Sequence, residues 1–537
     1  MGIALDDDPA RTNIDVLQVA AMDSHRIPTV ALFALLLLLA LLTRFPFFFR
    51  DVINWDESTF ILVGQSILDG HLPYVTLYDL KPPVLFAFFA AVIWVGGKSI
   101  LAIRLAGMMC VWLIACFTCQ IGRRLWNVRV GIVAGILYVI ALAVIAGGRG
   151  QATMSEVVAL VPLVGSLLVL LRAPSSTWSL LFAGTLIAVA ALVRSNLVFV
   201  AFAVGIWVLW SRRQRPPVEI ARQVLAYCIG GGLVVWLAFL PYWLANVGKT
   251  FWDAVFIAPI IYSSSQLGPL ATIVMQVKNA LGISSGPWLL NSDSILGLGI
   301  WVAATVGLFL AFSERRREIG AEGHGQWLCF IYAFAVGLSI AFGGAAYSHY
   351  LIQLLPFCCI YAGAVYSRLA DYPIRRRFSF PLAAMVLALV LLPVARQYSV
   401  IISRMRSGAT LEYGPSYDIA RILRPACLNG CSLYLLTDQL AYWFLNVTPP
   451  SRLAVHPANI VVDYTVRAPD GPTATPESEM RQILQTAPDY IVKPDVVWYL
   501  GDSPTRDVLQ STVKTRYRIL ATTGDQKIYQ RIEPRAE

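Results

Sequence analysis

Residues 54–99 read NWDESTFILVGQSILDGHLPYVTLYDLKPPVLFAFFAAVIWVGGKS. Whether the apolar run inside this stretch crosses a membrane decides the topology of everything after it. Val84–Val95 lies between Pro82-Pro83 and Gly96-Gly97-Lys98, and its twelve residues fall short of the ~17 a spanning helix needs. If it does not cross, the arginine-rich loops share one side. These hold Arg123, Arg124 and Arg129; Arg172; Arg212, Arg213 and Arg215; Arg315 to Arg317; and Arg368 with Arg375 to Arg377. The opposite loops beyond the first keep only Arg149, Arg194, Lys249 and Lys278. If it does cross, the arginines move outside, against the positive-inside tendency. The run is therefore expected to be a juxtamembrane or re-entrant helix.

The rest of the chain supports that frame. Of 537 residues, 57% are hydrophobic and 14% charged, with a mean hydropathy of +0.64, a balance that excludes a soluble globular protein. The formal charge of +10 sits mostly in short loops between apolar segments, so it is no nucleic-acid signal. Eleven spans are expected, near 27–43, 101–121, 129–147, 156–171, 177–194, 196–210, 220–243, 293–312, 326–343, 347–367 and 379–396. Residues 1–26 form a polar cytoplasmic lead with Asp6 to Asp8. No small-residue cleavage site follows the first apolar run, so it is expected to stay as an anchor. Residues 27–396 make an all-α polytopic membrane domain and residues 397–537 an extracytoplasmic α/β domain.

In that topology the first outer loop, 44–99, carries Asp56, Glu57, Asp79 and Lys81. Its Ser58–Leu68 segment has helical length and an apolar face suited to the interface. The second outer loop adds Arg149 and Glu156, the third Arg194, and a late one Tyr347, His349 and Tyr350. A long fourth loop, 246–293, with Trp252, Phe256, Tyr262 and Trp288, reads as an anchor or a cover for a site. In the polar tail, strand-like runs at 432–436, 489–492, 517–521 and 527–530 alternate with helix-like ones at 417–423, 476–484 and 507–514. A hairpin is expected at Gly524-Asp525. Cys427 and Cys431 enclose a Leu-Asn-Gly turn on the oxidising side, where a disulfide is expected. The other seven cysteines lie in apolar segments and read as small hydrophobes. Charge beside hydrocarbon usually serves a function. Cations that stabilise a departing phosphate, with a carboxylate to take a hydroxyl proton, would serve group transfer from a lipid phosphate.

The segments WDES…DGHLPYVTLYDLKPP (55–83), SILAIRLAGM (99–108), GRRLW (122–126) and SHYLIQLLP (348–356) resemble polyprenyl-phosphate-dependent glycosyltransferases of the GT-C fold. The resemblance is to the bacterial branch related to protein mannosyltransferases and the lipid A aminoarabinose transferase, and covers roughly residues 27–367. It implies transfer of a monosaccharide, a hexose or a pentose, from a polyprenyl-phosphate sugar in the membrane lipid to an unidentified acceptor hydroxyl. Transfer would occur on the outer face of the plasma membrane, with inversion. Asp56 matches the family's first-loop catalytic acid, the general base, and Glu57 adjoins it to orient the acceptor or to substitute in part for Asp56. Lys81 matches the Lys-Pro-Pro element that contacts the phosphate. Glu156 stands near a second-loop carboxylate that is often aspartate in relatives. His349, with Tyr347 or Tyr350, would add phosphate donors or ligate a metal, and Arg149 and Arg194 are further phosphate candidates. A divalent metal is compatible with this set without being required, since no His-x-x-x-His spacing occurs.

Two other classes stay open. A transporter or flippase of a lipid-linked or anionic substrate would show internal repeats and mid-membrane polar groups; here no repeat is evident and the ionisable residues gather at one interface. An assembly or receptor protein built around the C-terminal domain would tolerate loss of Asp56.

Overall fold

The computed structural model describes residues 28–145, 148–264, 266–281, 292–315, 323–369 and 373–532. The expectations for 1–26, Trp288, Arg316 and Arg317 lie outside these. Helices dominate, with one small sheet near the C-terminal end. Among the described residues six are long and apolar enough to cross a membrane: Thr29–Phe47, Ile100–Leu125, Ser155–Arg172, Pro217–Leu244, Gly325–Phe342 and Ser348–Leu369. The chain is an integral membrane protein.

That is fewer than the eleven expected spans. Five apolar helices are shorter, among them Val128–Val144, Thr177–Val193 and Ser195–Ser211. Polar turns cut them short: Arg194 ends one apolar run just where Ser195 and Asn196 open the next. Pro83–Gly96 is one of these short helices. Its 14 residues rise about 21 Å, less than the ~30 Å of hydrocarbon. Pro83 occupies its first turn, where no backbone donor is lost. The described part of the stretch read as a long aromatic loop, up to residue 281, is largely helical instead. Gly248–Ser264 and Pro269–Ala280 are bent by 84° at the break between them, with Gly268 and Pro269 at the corner.

Small residues bring membrane helices together. A Cβ at Gly184 would lie 2.1 Å from the Tyr227 carbonyl oxygen, and one at Gly230 would lie 2.1 Å from that of Leu181. Glycine at these crossings lets Thr177–Val193 and Pro217–Leu244 approach backbone to backbone.

The sheet runs β1 (Leu433–Leu435), β2 (Tyr490–Pro494), β4 (Gln526–Arg531), β3 (Tyr517–Thr523) across its width. β1 and β2 are parallel and the other pairs antiparallel. The expected strands are all present, and β3 turns into β4 at Gly524-Asp525. Pro415–Cys427, Pro476–Gln485 and Pro504–Arg516 supply the expected helices, and Cys427 is bonded to Cys431. The helix Pro373–Arg406 continues past residue 397, so the polar segment begins as its last turns.

This C-terminal unit is sewn to the first loop. Asp51 Oδ2 accepts from the Ser416 backbone N–H at 2.6 Å, in the first turn of Pro415–Cys427. Thr59 Oγ1 donates to the Val455 carbonyl at 2.8 Å, Asn459 Nδ2 to the Tyr78 carbonyl at 3.0 Å, and Trp443 Nε1 to Gln65 Oε1 at 3.1 Å. The helix Trp55–Leu68 is consequently buried from Glu57 to Gly64. It does not rest exposed in the interface, because it is packed between Pro83–Gly96, where Phe60 meets Phe86 and Phe89, and the C-terminal unit.

Candidate active site

Asn54 sets the geometry of the first loop. Its side-chain oxygen accepts from the Asp56 N–H at 2.9 Å, capping Trp55–Leu68 and placing Asp56 and Glu57 in the first turn, where the helix dipole favours carboxylates. Adjacent helical residues point about 100° apart, and the two acids diverge accordingly. Glu57 turns inward, forms a buried ion pair with Arg104, and accepts from the Thr153 N–H at 2.6 Å. Arg104 also donates to the Asp51 carbonyl at 2.9 Å and that of Arg50 at 3.2 Å. Glu57 thus ties the first loop, the Ile100–Leu125 helix and the second loop together, and is not brought to the Asp56 face.

Asp56 faces the other way. Its Oδ1 lies 3.1 Å from His456 Nε2. His456 Nδ1 accepts from the Ala458 N–H at 3.1 Å, which assigns the ring proton to Nε2 and makes it the donor to Asp56. Among the described residues Oδ2 has no hydrogen-bond partner. Burial would raise the Asp56 carboxyl, but the Lys81 ammonium and the His456 N–H outweigh it and hold the group well below the usual carboxylate range. His456 lies 400 residues downstream and is absent from the sequence-derived set.

Lys81 is held by its backbone, whose N–H donates to Asp79 Oδ1 at 2.9 Å and whose carbonyl accepts from Tyr74 Oη at 2.7 Å. Its ammonium lies 6.0 Å from the centre of the Phe60 ring and has no ion-pair partner among the described residues. Burial would lower it, but Asp79 and Asp56 outweigh that and keep it above the ordinary lysine range, hence charged.

The remaining candidates form one network. Glu156, fully buried, pairs with Arg194 and accepts from Ser155 Oγ at 3.2 Å. His349 Nε2 is 3.7 Å from Glu156 Oε1, and its Nδ1 lies 3.3 Å from a guanidinium nitrogen of Arg149. Tyr347 stacks on His349 at 5.5 Å, and Arg194 lies 4.7 Å over the Tyr350 ring. The charges of Asp56, Lys81 and Arg194 act on one another across this space. The structure thus gathers Asp56, Lys81, Arg149, Glu156, Arg194, Tyr347, His349 and Tyr350, and adds His456. Glu156 serves as counter-ion to Arg194 in the buried interior. Among the described residues no group of three His, Cys, Asp or Glu side chains comes together to hold a metal. The nearest approaches are the pairs Asp56–His456 and Glu156–His349.

Behind Tyr347 lies a cavity of about 370 Å³ lined by Ile273, Val277, Trp301, Phe334, Gly337 and Leu354, among others. Gln276, also in its wall, donates to the Tyr347 carbonyl at 3.1 Å. The cavity and the phosphate-side candidates therefore share one segment.

Residues 80–244 match the family model described as dolichyl-phosphate-mannose-protein mannosyltransferase. No curated protein matches the chain in sequence. Two solved structures are similar over most of its length. ArnT from Cupriavidus metallidurans bound to undecaprenyl phosphate is 14% identical, with a TM-score of 0.58 covering 93% of this chain and 97% of that one. The same protein in the apo state gives 0.54 with equal identity and coverage. The chain shares the fold of these structures, the GT-C fold expected from its sequence.

Proposed function

We propose that the protein transfers a monosaccharide from a polyprenyl-phosphate sugar to an acceptor hydroxyl, on the extracytoplasmic face of the plasma membrane and with inversion. The observation that carries this reading is a carboxylate with one unpartnered oxygen, Asp56, beside a charged lysine without an ion-pair partner, Lys81. Lys81 receives the donor phosphate, with the exposed Arg149 and the Tyr347 and Tyr350 hydroxyls as further donors. The acceptor oxygen attacks the anomeric carbon from the face opposite the phosphate. As the new C–O bond forms, the bond to phosphate breaks, and the acceptor proton passes to Asp56 Oδ2. Depressed basicity keeps Asp56 ionised until the acceptor arrives. The apolar cavity behind Tyr347 takes the first isoprenoid units. The N-terminal lead is then cytoplasmic, and the C-terminal unit caps the site from outside.

The test is release of free polyprenyl phosphate by the purified protein in lipid, from a panel of polyprenyl-phosphate sugars, with and without acceptor extract. Acceptor-dependent release supports the transferase. Movement of a lipid-linked sugar across vesicles without any release identifies a transporter, for which the bent pair Gly248–Ser264 and Pro269–Ala280 would be the moving part.

Two substitutions probe the donor side. Lys81→Met is expected to lower kcat/KM for the donor by about 10- to 100-fold, the worth of a charge-assisted phosphate contact. Its effect should vanish for a donor analogue lacking the phosphate charge. Gly337→Leu projects a side chain into open space, since a Cβ there meets nothing within 4 Å. It should raise KM about tenfold for long-chain donors, spare short-chain ones, and leave thermal stability unchanged. Equal effects on both chain lengths would remove the cavity from the donor path.

A further inference from the structure

A row of aromatic rings leads from solvent to the Asp56 carboxylate. Trp498 leaves β2 on a short 3-10 turn, Trp498–Leu500, pinned by buried Val497 and Leu500 on either side. Tyr499 fixes the turn further, its hydroxyl donating to the Leu436 carbonyl at 2.7 Å. The Trp498 indole nevertheless stays 69% exposed. It stacks on Trp55 with centroids 5.9 Å apart and planes at 21°. Trp55 meets His456 edge-on at 6.5 Å, and His456 holds Asp56. The exposed indole is thus rigid, and continuous with the proposed base.

We propose that the acceptor is held at this seam between the Trp55–Leu68 helix and the C-terminal unit, on the Trp498–Trp55 pair, and that its binding element is an uncharged saccharide ring. This rests on reading Asp56 as the base. A pyranose presents an apolar C–H face to an aromatic platform while its rim hydroxyls stay free, one of them for Asp56 Oδ2. The neighbouring groups argue against other occupants. The carbonyls of Val497 and Trp498 are spent within the turn, accepting from Leu500 and Gly501 at 3.1 and 3.3 Å, so the N–H groups of a peptide strand find no acceptor on them. The nearby ammonium groups are also engaged. Lys493 donates to the Pro494 carbonyl at 3.1 Å, and Lys527 pairs with Asp495 at 2.5 Å. An anionic headgroup therefore has no free cation on this turn.

The experiment is saturation-transfer NMR on the full chain in nanodiscs. Maltose and cellobiose are the probes, and glycerol phosphate and a serine-containing peptide the controls. Donor consumption is measured on the same samples. The proposal expects transfer to ring C–H protons in wild type, Asp56→Asn and Trp498→Phe, with affinity about 3- to 10-fold weaker in Trp498→Ala. Equal saccharide binding in Trp498→Ala overturns it. So does binding of the peptide or glycerol phosphate in place of the sugars, or quenching of Trp498 by brominated lipid, which would make it a membrane anchor. Saccharide binding that depends on Trp498, without turnover of any donor, keeps the platform and removes the transferase reading. Turnover with acceptor KM indifferent to Trp498 keeps the transferase and removes the platform.

Discussion

Asp56→Asn is expected to lower sugar transfer by about three orders of magnitude while the protein still folds and binds donor. The amide keeps the shape of the side chain and can still accept from His456 Nε2, so the seam with the C-terminal unit survives. What it cannot do is take the acceptor proton. Removing a negative charge near Lys81 leaves the donor phosphate held at least as well, so the loss falls on kcat. A wild-type rate for this variant would end the assignment of Asp56 as base. His456 provides a second reading of the same group. Asp56 lies below the usual carboxylate range, so it is ionised, and its contribution to folding is in place, above its unfolded value; both fade as pH falls towards strong acid. His456→Ala deletes one of the groups holding it there. The acid limb of the rate profile should therefore move to higher pH, with kcat reduced about 10- to 100-fold. His456→Gln retains an N–H near the Nε2 position and should restore the limb. A purely structural His456 would lower thermal stability without moving it.

Arg104→Met is expected to destabilise the protein by about 3–5 kcal/mol, because Glu57 is left charged, buried and unpaired. The loss spreads beyond the pair, since Arg104 also holds the Arg50 and Asp51 carbonyls and Glu57 holds the Thr153 N–H. The double variant Arg104→Met with Glu57→Leu should recover part of the stability, as it leaves no orphan charge. Apparent melting temperatures in detergent would rank the single variant lowest and wild type highest. A double variant no more stable than the single would show that the backbone contacts, rather than the ion pair, hold the three segments together.

How far the sequence disclosed these features followed the range of each interaction. The four strands, the 524–525 hairpin and the Cys427–Cys431 bridge rest on signals within a few residues, and each was legible. Asp56 and Lys81 stood out because a loop rich in charge beside apolar sequence is conspicuous. Glu57 was read as a partner of Asp56 from adjacency alone, whereas helical geometry sends neighbouring side chains apart, and only Arg104 on the next long helix shows where Glu57 goes. His456 sits in VHPAN, which carries no pattern of its own; nothing short of the docked C-terminal unit could bring it to Asp56. The same docking, together with the Pro83–Gly96 helix, buries Trp55–Leu68, whose amphipathic face alone suggested a place in the interface. The break at Arg194–Asn196 was legible, and the count of long spans is lower because helices bounded by such breaks, Thr177–Val193 among them, stay at 17 residues or fewer.

The tie between Asp56 and His456 also bears on the order of synthesis. A ribosome makes the membrane helices first, and Asp56 and Lys81 reach their positions while hundreds of residues remain to be translated. His456 arrives 400 residues after Asp56, with the unit that covers the first loop. Until then the carboxylate lacks its imidazole partner and the loop its lid. A chain stalled or clipped before residue 456 therefore lacks both the imidazole at Asp56 and the cover of the first loop.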